Sequence, residues 1–381
     1  MGNIVTYAEN YFYQNFMQKP LTEVDSLILC NLTYYHFKGS SFEKSDFHAT
    51  VQEFLIERPS EMLKGLVSVE EDKKLRDVLR RGGRHGMLKA AEFVEIFDVE
   101  LEKQFSAITF DLGNGEYYIA FRGTDSTVTG WREDFNLSFR NEIPAQKEAV
   151  LYAKRVMEQH NGKVYLGGHS KGGNLAVYCA MNLPERYQKQ LLGVYNHDGP
   201  GFLEEVYESE KYKKIRSLLQ KTVPESSIIG MLMEMDDHYQ VVKSSLDGIM
   251  QHDPFSWIVE EDYFERVETI DQLSYHTNHA LQKWLGSLEM AERERIVDTI
   301  FDIIASTGIN EFDELSEQKR KKLKLVVESL KKVTLEDRRL VQQALMHLLS
   351  ISAEEIQQAI KTEGAAYIEE KLPELLFHRF N

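Results

Sequence analysis

The chain has 381 residues and a formal net charge of −16, and 42% of its residues are hydrophobic; this length suits a catalytic domain with an appendage. The acidic balance argues against a nucleic-acid-binding protein, and no apolar run reaches the roughly 18 residues of a membrane-spanning helix. Cys30 and Cys179 are too few for a disulfide framework, and the N-terminus has no signal-peptide pattern, so we expect a cytoplasmic protein.

The first predicted strands form a hairpin. Residues 1–100 mix short helical patterns with a charged stretch, and two strand-like runs follow at 105–110 and 117–121. Asn114-Gly115 between them favours a tight turn.

Helix and strand patterns then alternate. Pro144 suits the first turn of a helix, and apolar residues recur at helical spacing to about residue 160. A short strand at 163–166, a helix carrying Leu175 and an apolar strand at 191–195 follow. This alternation predicts a mainly parallel sheet covered on both faces.

The pattern changes near residue 285. Apolar residues keep helical spacing at 296–304 and 323–330, and Ser352 with Glu355 predicts the start of a further helix. Amphipathic helices need a partner surface. We therefore expect a helical C-terminal subdomain at 281–381 that packs on the catalytic domain or on itself. The alternative is a module for docking or for forming a homo-oligomer.

The strongest motif is Gly168-His169-Ser170-Lys171-Gly172, which lies between a strand and a helix. In such a turn the serine hydroxyl is exposed above the sheet, and small flanking residues let the backbone pass close to its neighbours. The Lys171 N–H, at the start of the helix, can point at a developing oxyanion. We predict that Ser170 is a nucleophile; the alternative is a glycine turn without catalysis.

A second segment, Phe121-Arg122-Gly123-Thr124, ends a strand upstream, with Trp131 and Asp134 close behind it. Thr124 can offer a backbone N–H and a hydroxyl to an oxyanion. The charges of Arg122 and Asp134 could pair to hold this loop. Taken alone, the segment would be an ordinary polar loop.

Together the two segments resemble the signature of the class 3, fungal-type lipases. That signature pairs Phe-Arg-Gly-Thr/Ser, followed by Trp and Asp, with Gly-His-Ser-x-Gly-Gly further along the chain. The resemblance covers roughly residues 100–255 and implies an α/β-hydrolase fold, with Ser170 as nucleophile and Thr124 and the Lys171 N–H as the oxyanion hole. The chain looks more closely like a group of bacterial lipase-like proteins in two features. One is Lys171, at a position where class 3 lipases usually have Leu, and the other is the segment 251–257.

A serine nucleophile needs a general base within hydrogen-bonding reach, and in this fold the order along the chain is Ser, then Asp or Glu, then His. His252 follows the strand-like run 239–243 through a loop, which is where the fold expects the base. We predict that His252 is the base. His238, His276 and His279 are the alternatives.

The acid that orients the base is less clearly marked. Class 3 lipases place an Asp just before Val-Pro after the next strand, but Lys221-Thr222 stands there in this chain. We predict Asp198, at the end of the preceding strand, with Glu225 as the alternative acid. Three alternatives remain, namely a structural role for Asp198 in the Gly199-Pro200-Gly201 turn, an acid from Asp236 or Asp237, and a Ser–His dyad.

These residues predict a serine hydrolase that cleaves acyl esters, of the esterase, lipase or lysophospholipase type, through an acyl-enzyme on Ser170. We expect an α/β-hydrolase domain at 1–280 and a small-molecule or lipid ester as substrate. We expect no nucleic-acid partner, no integral membrane segment, and no metal ion or organic cofactor. The alternative function is that of a catalytically inactive protein that binds a partner on the same fold.

Overall fold

A mainly parallel sheet forms the centre of the protein. The computed structural model describes residues 2–58, 68–125, 127–306 and 333–363. The strands in this part of the chain are β1 (Lys89–Asp98), β2 (Lys103–Gly113), β3 (Glu116–Phe121), β4 (Lys163–His169), β5 (Leu191–His197), β6 (Leu219–Pro224), β7 (Tyr239–Val242), β8 (Val259–Glu260), β9 (Tyr263–Phe264) and β10 (Arg266–Val267).

The order of the strands identifies the fold class. Eight strands form one sheet in the order β1-β2-β3-β4-β5-β6-β7-β10, and β8 pairs with β9 separately. Neighbouring strands from β3 to β7 are parallel, whereas β1, β2 and β10 join antiparallel at the edges. Asn114 and Gly115, with φ of 54° and 74°, form the predicted turn between β2 and β3. The predicted α/β-hydrolase fold with a mainly parallel sheet is confirmed.

Helices flank the sheet and extend beyond it. Short 3-10 helices lie in the loops at Ser41–Glu43, Arg216–Leu218, Gly248–His252 and Pro254–Ser256. The α-helices of the described residues are α1 (Ile4–Asn10), α2 (Glu23–Leu32), α3 (Val51–Glu57), α4 (Val69–Arg80), α5 (Gly83–Gly86), α6 (Val128–Asn136), α7 (Pro144–Gln159), α8 (Lys171–Asn182), α9 (Glu185–Gln188), α10 (Glu204–Glu208), α11 (Glu210–Ile215), α12 (Gln272–Gly286), α13 (Met290–Ser306) and α14 (Leu335–Glu363).

Alternation along β3 divides the core into two layers. Tyr118 and Ala120 pack on one face of the sheet with residues of α1 to α4, and Ile119 and Phe121 pack on the other face with residues of α7 and α8. All four side chains are fully buried. A strand that is buried on both faces fits a sheet between two helical layers.

The helical C-terminal region is present and contacts the sheet domain. Val297 and Phe301 of α13 share a small apolar cluster with Val128 of α6 and with Phe139. The apolar stripe predicted at 296–304 therefore packs against α6, the helix that follows β3.

One prediction in the C-terminal region is wrong. Ser352 and Glu355 do not begin a helix, because α14 runs through both of them. Residues three apart lie on the same face of a helix, so a Ser–Glu pair of this spacing also occurs on a helix surface. The stripe predicted at 323–330 lies outside the described residues. Of the helices described, none combines the length and apolar character that a membrane span requires.

Candidate active site

Ser170 lies on a strained turn between β4 and α8. Its φ of 59° and ψ of −134° lie outside the regions that residues with a side chain usually adopt. Its backbone N–H donates to His197 O at 2.9 Å, which ties the turn to the end of β5. Its hydroxyl makes no hydrogen bond to a described residue. The serine that the motif predicted as nucleophile is therefore held by its backbone, with its Oγ unengaged.

The glycines around Ser170 are required by close backbone contacts. A Cβ on Gly168 would lie 2.0 Å from the backbone carbon of Gly172. A Cβ on Gly172 would lie 2.2 Å from Phe121 O at the end of β3. The turn can therefore close against the sheet only when both positions lack a side chain.

His252 and Asp198 are in direct contact. His252 Nδ1 lies 2.6 Å from Asp198 Oδ2. The other carboxylate oxygen of Asp198 accepts a hydrogen bond of 2.5 Å from Ser227 Oγ, and its backbone N–H donates to Thr222 O at 2.8 Å. Asp198 has a φ of 52° and is almost fully buried, so its carboxylate is fixed in one orientation towards the imidazole.

His169, the residue before Ser170, holds the backbone of His252. Its Nε2 lies 2.8 Å from His252 O, and because a carbonyl only accepts, Nε2 carries the proton and Nδ1 accepts from Tyr34 at 3.2 Å. Burial, together with the neighbouring charge of His252, lowers the pKa of His169 well below its usual value, so this ring stays neutral. The two histidine rings lie 4.5 Å apart between centroids. His252 is thereby held beside the turn that carries Ser170.

The Thr124 loop lies on the other side of the turn. Thr124 Oγ1 donates to Asp134 Oδ2 at 2.5 Å, and its backbone N–H donates to no described residue. The ideal position of a Cβ on Gly123 is only 3.0 Å from Ser170 Cβ, so the loop passes directly over the serine. The predicted hydroxyl donor is therefore engaged by Asp134, while the backbone donor is unengaged.

The expected pairing of Arg122 with Asp134 is wrong. Arg122 Nη1 pairs with Glu95 at 2.7 Å and Nη2 with Asp125 at 3.5 Å. Arg122 continues β3 alongside β2, which directs its side chain towards Glu95 on β1, whereas Asp134 faces Thr124 and Lys171.

The side chain of Lys171 was not predicted to have a part in the site. It is almost fully buried, and its Nζ donates to Glu133 Oε2 at 3.0 Å and to Gln104 Oε1 at 2.7 Å. Sequence reasoning considered only its backbone N–H. The signal in the sequence is a lysine directly after the nucleophile, at a position where a buried side chain is expected. A buried lysine needs an acidic partner.

The alternative acids and bases make other contacts in the described structure. Glu225 Oε1 accepts from Ser244 N at 3.4 Å and has no described hydrogen bond to His252. Asp236 and Asp237 pair with Arg216 at 2.7 and 3.0 Å. The alternative bases are not bound to Asp198 in the described structure. His238 is exposed, and His276 and His279 lie on α12 beside Tyr275.

Several lipases of known structure share weak similarity with the chain. The Rhizomucor miehei lipase propeptide complex has 20% sequence identity over 44% of this chain and 66% of that chain, with a TM-score of 0.31. The M37 lipase has 14% identity over 54% and 69%, with a TM-score of 0.34. The Lip2 lipase from Yarrowia lipolytica has 12% identity over 65% and 83%, with a TM-score of 0.35. The chain thus spans slightly less than two thirds of the Rhizomucor miehei structure, and likeness at this level is no evidence of activity.

Sequence comparison gives a clearer assignment. No curated protein matches the chain. A family profile described as Mbeg1-like matches residues 80–302, which is more than half of the 381 residues and includes Thr124, Ser170, Asp198 and His252. The chain belongs to the Mbeg1-like family.

Proposed function

We propose that the protein is a serine hydrolase that cleaves acyl esters through an acyl-enzyme on Ser170. The observation that carries this proposal is the 2.6 Å contact between His252 Nδ1 and the buried Asp198 carboxylate, next to a serine on a strained turn. A serine becomes a nucleophile when a neighbouring base is itself oriented by a third group. The Mbeg1-like assignment and the α/β-hydrolase fold are consistent with this chemistry.

The proposed reaction begins with attack of Ser170 Oγ on the ester carbonyl carbon. The hydroxyl proton passes to His252 Nε2, and the Asp198 carboxylate stabilises the imidazolium that forms. The tetrahedral intermediate then collapses, the bond to the alcohol oxygen breaks, and His252 returns its proton to the leaving alcohol. A water molecule repeats the sequence on the acyl-enzyme and releases the carboxylic acid and free Ser170.

The proposed oxyanion hole consists of two backbone donors. The Thr124 N–H is unengaged by the described residues. Lys171 is the first residue of α8, and the first N–H groups of a helix have no partner within it. Both groups adjoin Ser170, so they can stabilise the negative charge that develops on the carbonyl oxygen.

The test is hydrolysis of a short p-nitrophenyl ester by the full chain. Ser170→Ala is expected to lower kcat by roughly 10⁴-fold or more, because the triad acts as a unit. Ser287→Ala is the matched control, since it removes an exposed hydroxyl at the end of α12 and should leave turnover unchanged. Equal turnover by wild type and Ser170→Ala would refute the proposal. Absence of turnover in the wild type with every ester tried would favour a catalytically inactive binding protein.

A further inference from the structure

A buried ion pair lies directly behind the proposed oxyanion hole. The ammonium of Lys171 donates to Glu133 Oε2 at 3.0 Å, to Gln104 Oε1 at 2.7 Å and to Gln104 O at 3.0 Å. An ammonium has three N–H donors, and each has an acceptor here. The side chains of Lys171 and Glu133 both have 0% exposure.

Glu133 is held as firmly as the lysine. Its Oε1 accepts from the backbone N–H of Ala145 at 2.9 Å, and its Oε2 accepts from that of Gln104 at 3.0 Å. The ion pair therefore joins four elements, namely β2, α6, the start of α7 and the first residue of α8. Burying two charges costs several kcal/mol per ion before their attraction is counted, and an apolar pair of similar volume is often as stable. Stability alone therefore does not account for a lysine at this position.

The next residue along α6 holds the other half of the proposed oxyanion hole. Asp134 accepts the hydroxyl of Thr124 at 2.5 Å, while its second oxygen lies 3.8 Å from Lys171 Nζ. Two consecutive residues of one helix thus contact the two residues whose backbone N–H groups would bind the oxyanion: Glu133 contacts Lys171, and Asp134 contacts Thr124. Both contacts are made by a single turn of α6.

We infer that the Lys171–Glu133 ion pair positions the proposed oxyanion hole, by tying the start of α8 to the helix that also holds Thr124. This inference rests on the proposed function. Lys171 has two separate parts in it: its backbone N–H contacts the developing oxyanion, and its side chain acts only by fixing where that N–H lies. The donors of an oxyanion hole are aligned before the reaction. A small displacement of one donor therefore reduces transition-state stabilisation more than it reduces substrate affinity.

The test compares the wild type with the double variant Lys171→Met/Glu133→Gln. Both substitutions keep the approximate shape of the side chains and remove both charges of the ion pair. Asp134, whose Oδ1 lies 3.8 Å from Lys171 Nζ, loses a neighbouring positive charge but keeps its hydrogen bond from Thr124. The measurements are kcat and KM for a p-nitrophenyl ester, per active site titrated with a fluorophosphonate, and the inhibition constant of an alkyl trifluoromethyl ketone. Ser170 Oγ adds to the carbonyl carbon of that ketone, its proton passes to His252, and the resulting alkoxide occupies the oxyanion hole.

The double variant is expected to lower kcat by about 10- to 100-fold with an unchanged KM, and to raise the inhibition constant of the ketone by a similar factor. Loss of stability alone would reduce the number of titrated sites but not kcat per site. Glu92→Gln is the control, because it breaks an ion pair between the buried Glu92 and the exposed Arg155 (3.2 Å) away from this site, and its kcat per site should not change.

Two results would overturn the inference while leaving the proposed function intact. One is a double variant with the kcat and the ketone affinity of an active wild type. The other is an equal rise in KM and in the inhibition constant at constant kcat. The milder Glu133→Asp keeps both charges but shortens the connection; it should show a smaller loss of the same kind, and it serves if the double variant does not fold. A wild type that neither hydrolyses the ester nor binds the ketone would instead refute the proposed function, and this inference with it.

Discussion

Replacing Asp198 with Asn perturbs the proposed triad at its best-defined contact. One oxygen of Asp198 accepts from Ser227 Oγ at 2.5 Å, and the other lies 2.6 Å from His252 Nδ1. In Asp198→Asn, the amide oxygen keeps the bond from Ser227, which leaves the NH₂ group facing His252. Nδ1 must then accept a hydrogen bond and Nε2 must carry the proton, so the imidazole is in the wrong tautomer to take a proton from Ser170.

The expected loss from Asp198→Asn is about 10⁴-fold in kcat, which corresponds to about 5 kcal/mol of transition-state stabilisation. The assay is p-nitrophenyl ester hydrolysis at pH 8, with urea unfolding to show that the variant folds. Glu225→Gln is the matched control, because Glu225 contacts Ser244 at 3.4 Å and makes no described hydrogen bond to His252. A loss of less than about tenfold in Asp198→Asn, or an equal loss in Glu225→Gln, would show that Asp198 does not orient His252.

Three further predictions test other parts of the structure. Thr124→Val should lower kcat more at pH 5 than at pH 8, because burial raises the pKa of Asp134 to about 6. Only the protonated Asp134 carboxyl can donate to Thr124 Oγ1, which releases the Thr124 hydroxyl to donate to the oxyanion. Equal ratios of wild-type to variant kcat at the two pH values would contradict this. Asp25→Asn should lower the free energy of unfolding at pH 7 by about 3–5 kcal/mol, because it leaves the fully buried Arg84 without its 2.7 Å partner. Burial opposes ionisation of Asp25, but the hydrogen bonds from Arg84 outweigh it and depress the pKa of Asp25. The difference in free energy of unfolding between wild type and variant is therefore fully present above about pH 4 and shrinks below it, as urea unfolding curves would show. Gly168→Ala should abolish or strongly reduce the yield of folded protein, since its Cβ would lie 2.0 Å from a backbone carbon, and a melting temperature equal to that of the wild type would contradict the described turn.

Patterns that depend on neighbouring residues in sequence were predicted well. The strands predicted at 105–110, 117–121 and 191–195 lie within β2, β3 and β5, and the helix from Pro144 matches α7. β1 was not predicted, because the bulge near Glu92 interrupts the alternation of its side chains, and its charged residues obscure the apolar ones. The continuity of α14 was also missed, because a helix start and a polar pair on a helix surface share one sequence pattern.

Contacts between distant segments were predicted only where the sheet dictates them. Ser170 and Asp198 follow neighbouring parallel strands, and such strands end at the same edge of a sheet. The partners of Arg122 were predicted wrongly, and the carboxylate beside Lys171 was not predicted. Both depend on how α6 packs beside β2, which no local pattern encodes. A buried lysine with a full set of acceptors can be recognised only once the elements around it are assembled.

The proposed chemistry depends above all on an activated hydroxyl at Ser170. The most direct measurement is the intact mass of the full chain after incubation with a fluorophosphonate, followed by peptide mapping of the adduct. We expect a single phosphonyl group on Ser170, with labelling slowed strongly by His252→Ala, because the base that activates the hydroxyl is then missing. An unlabelled Ser170 in the wild type, or labelling of Ser170 at an unchanged rate in His252→Ala, would contradict it.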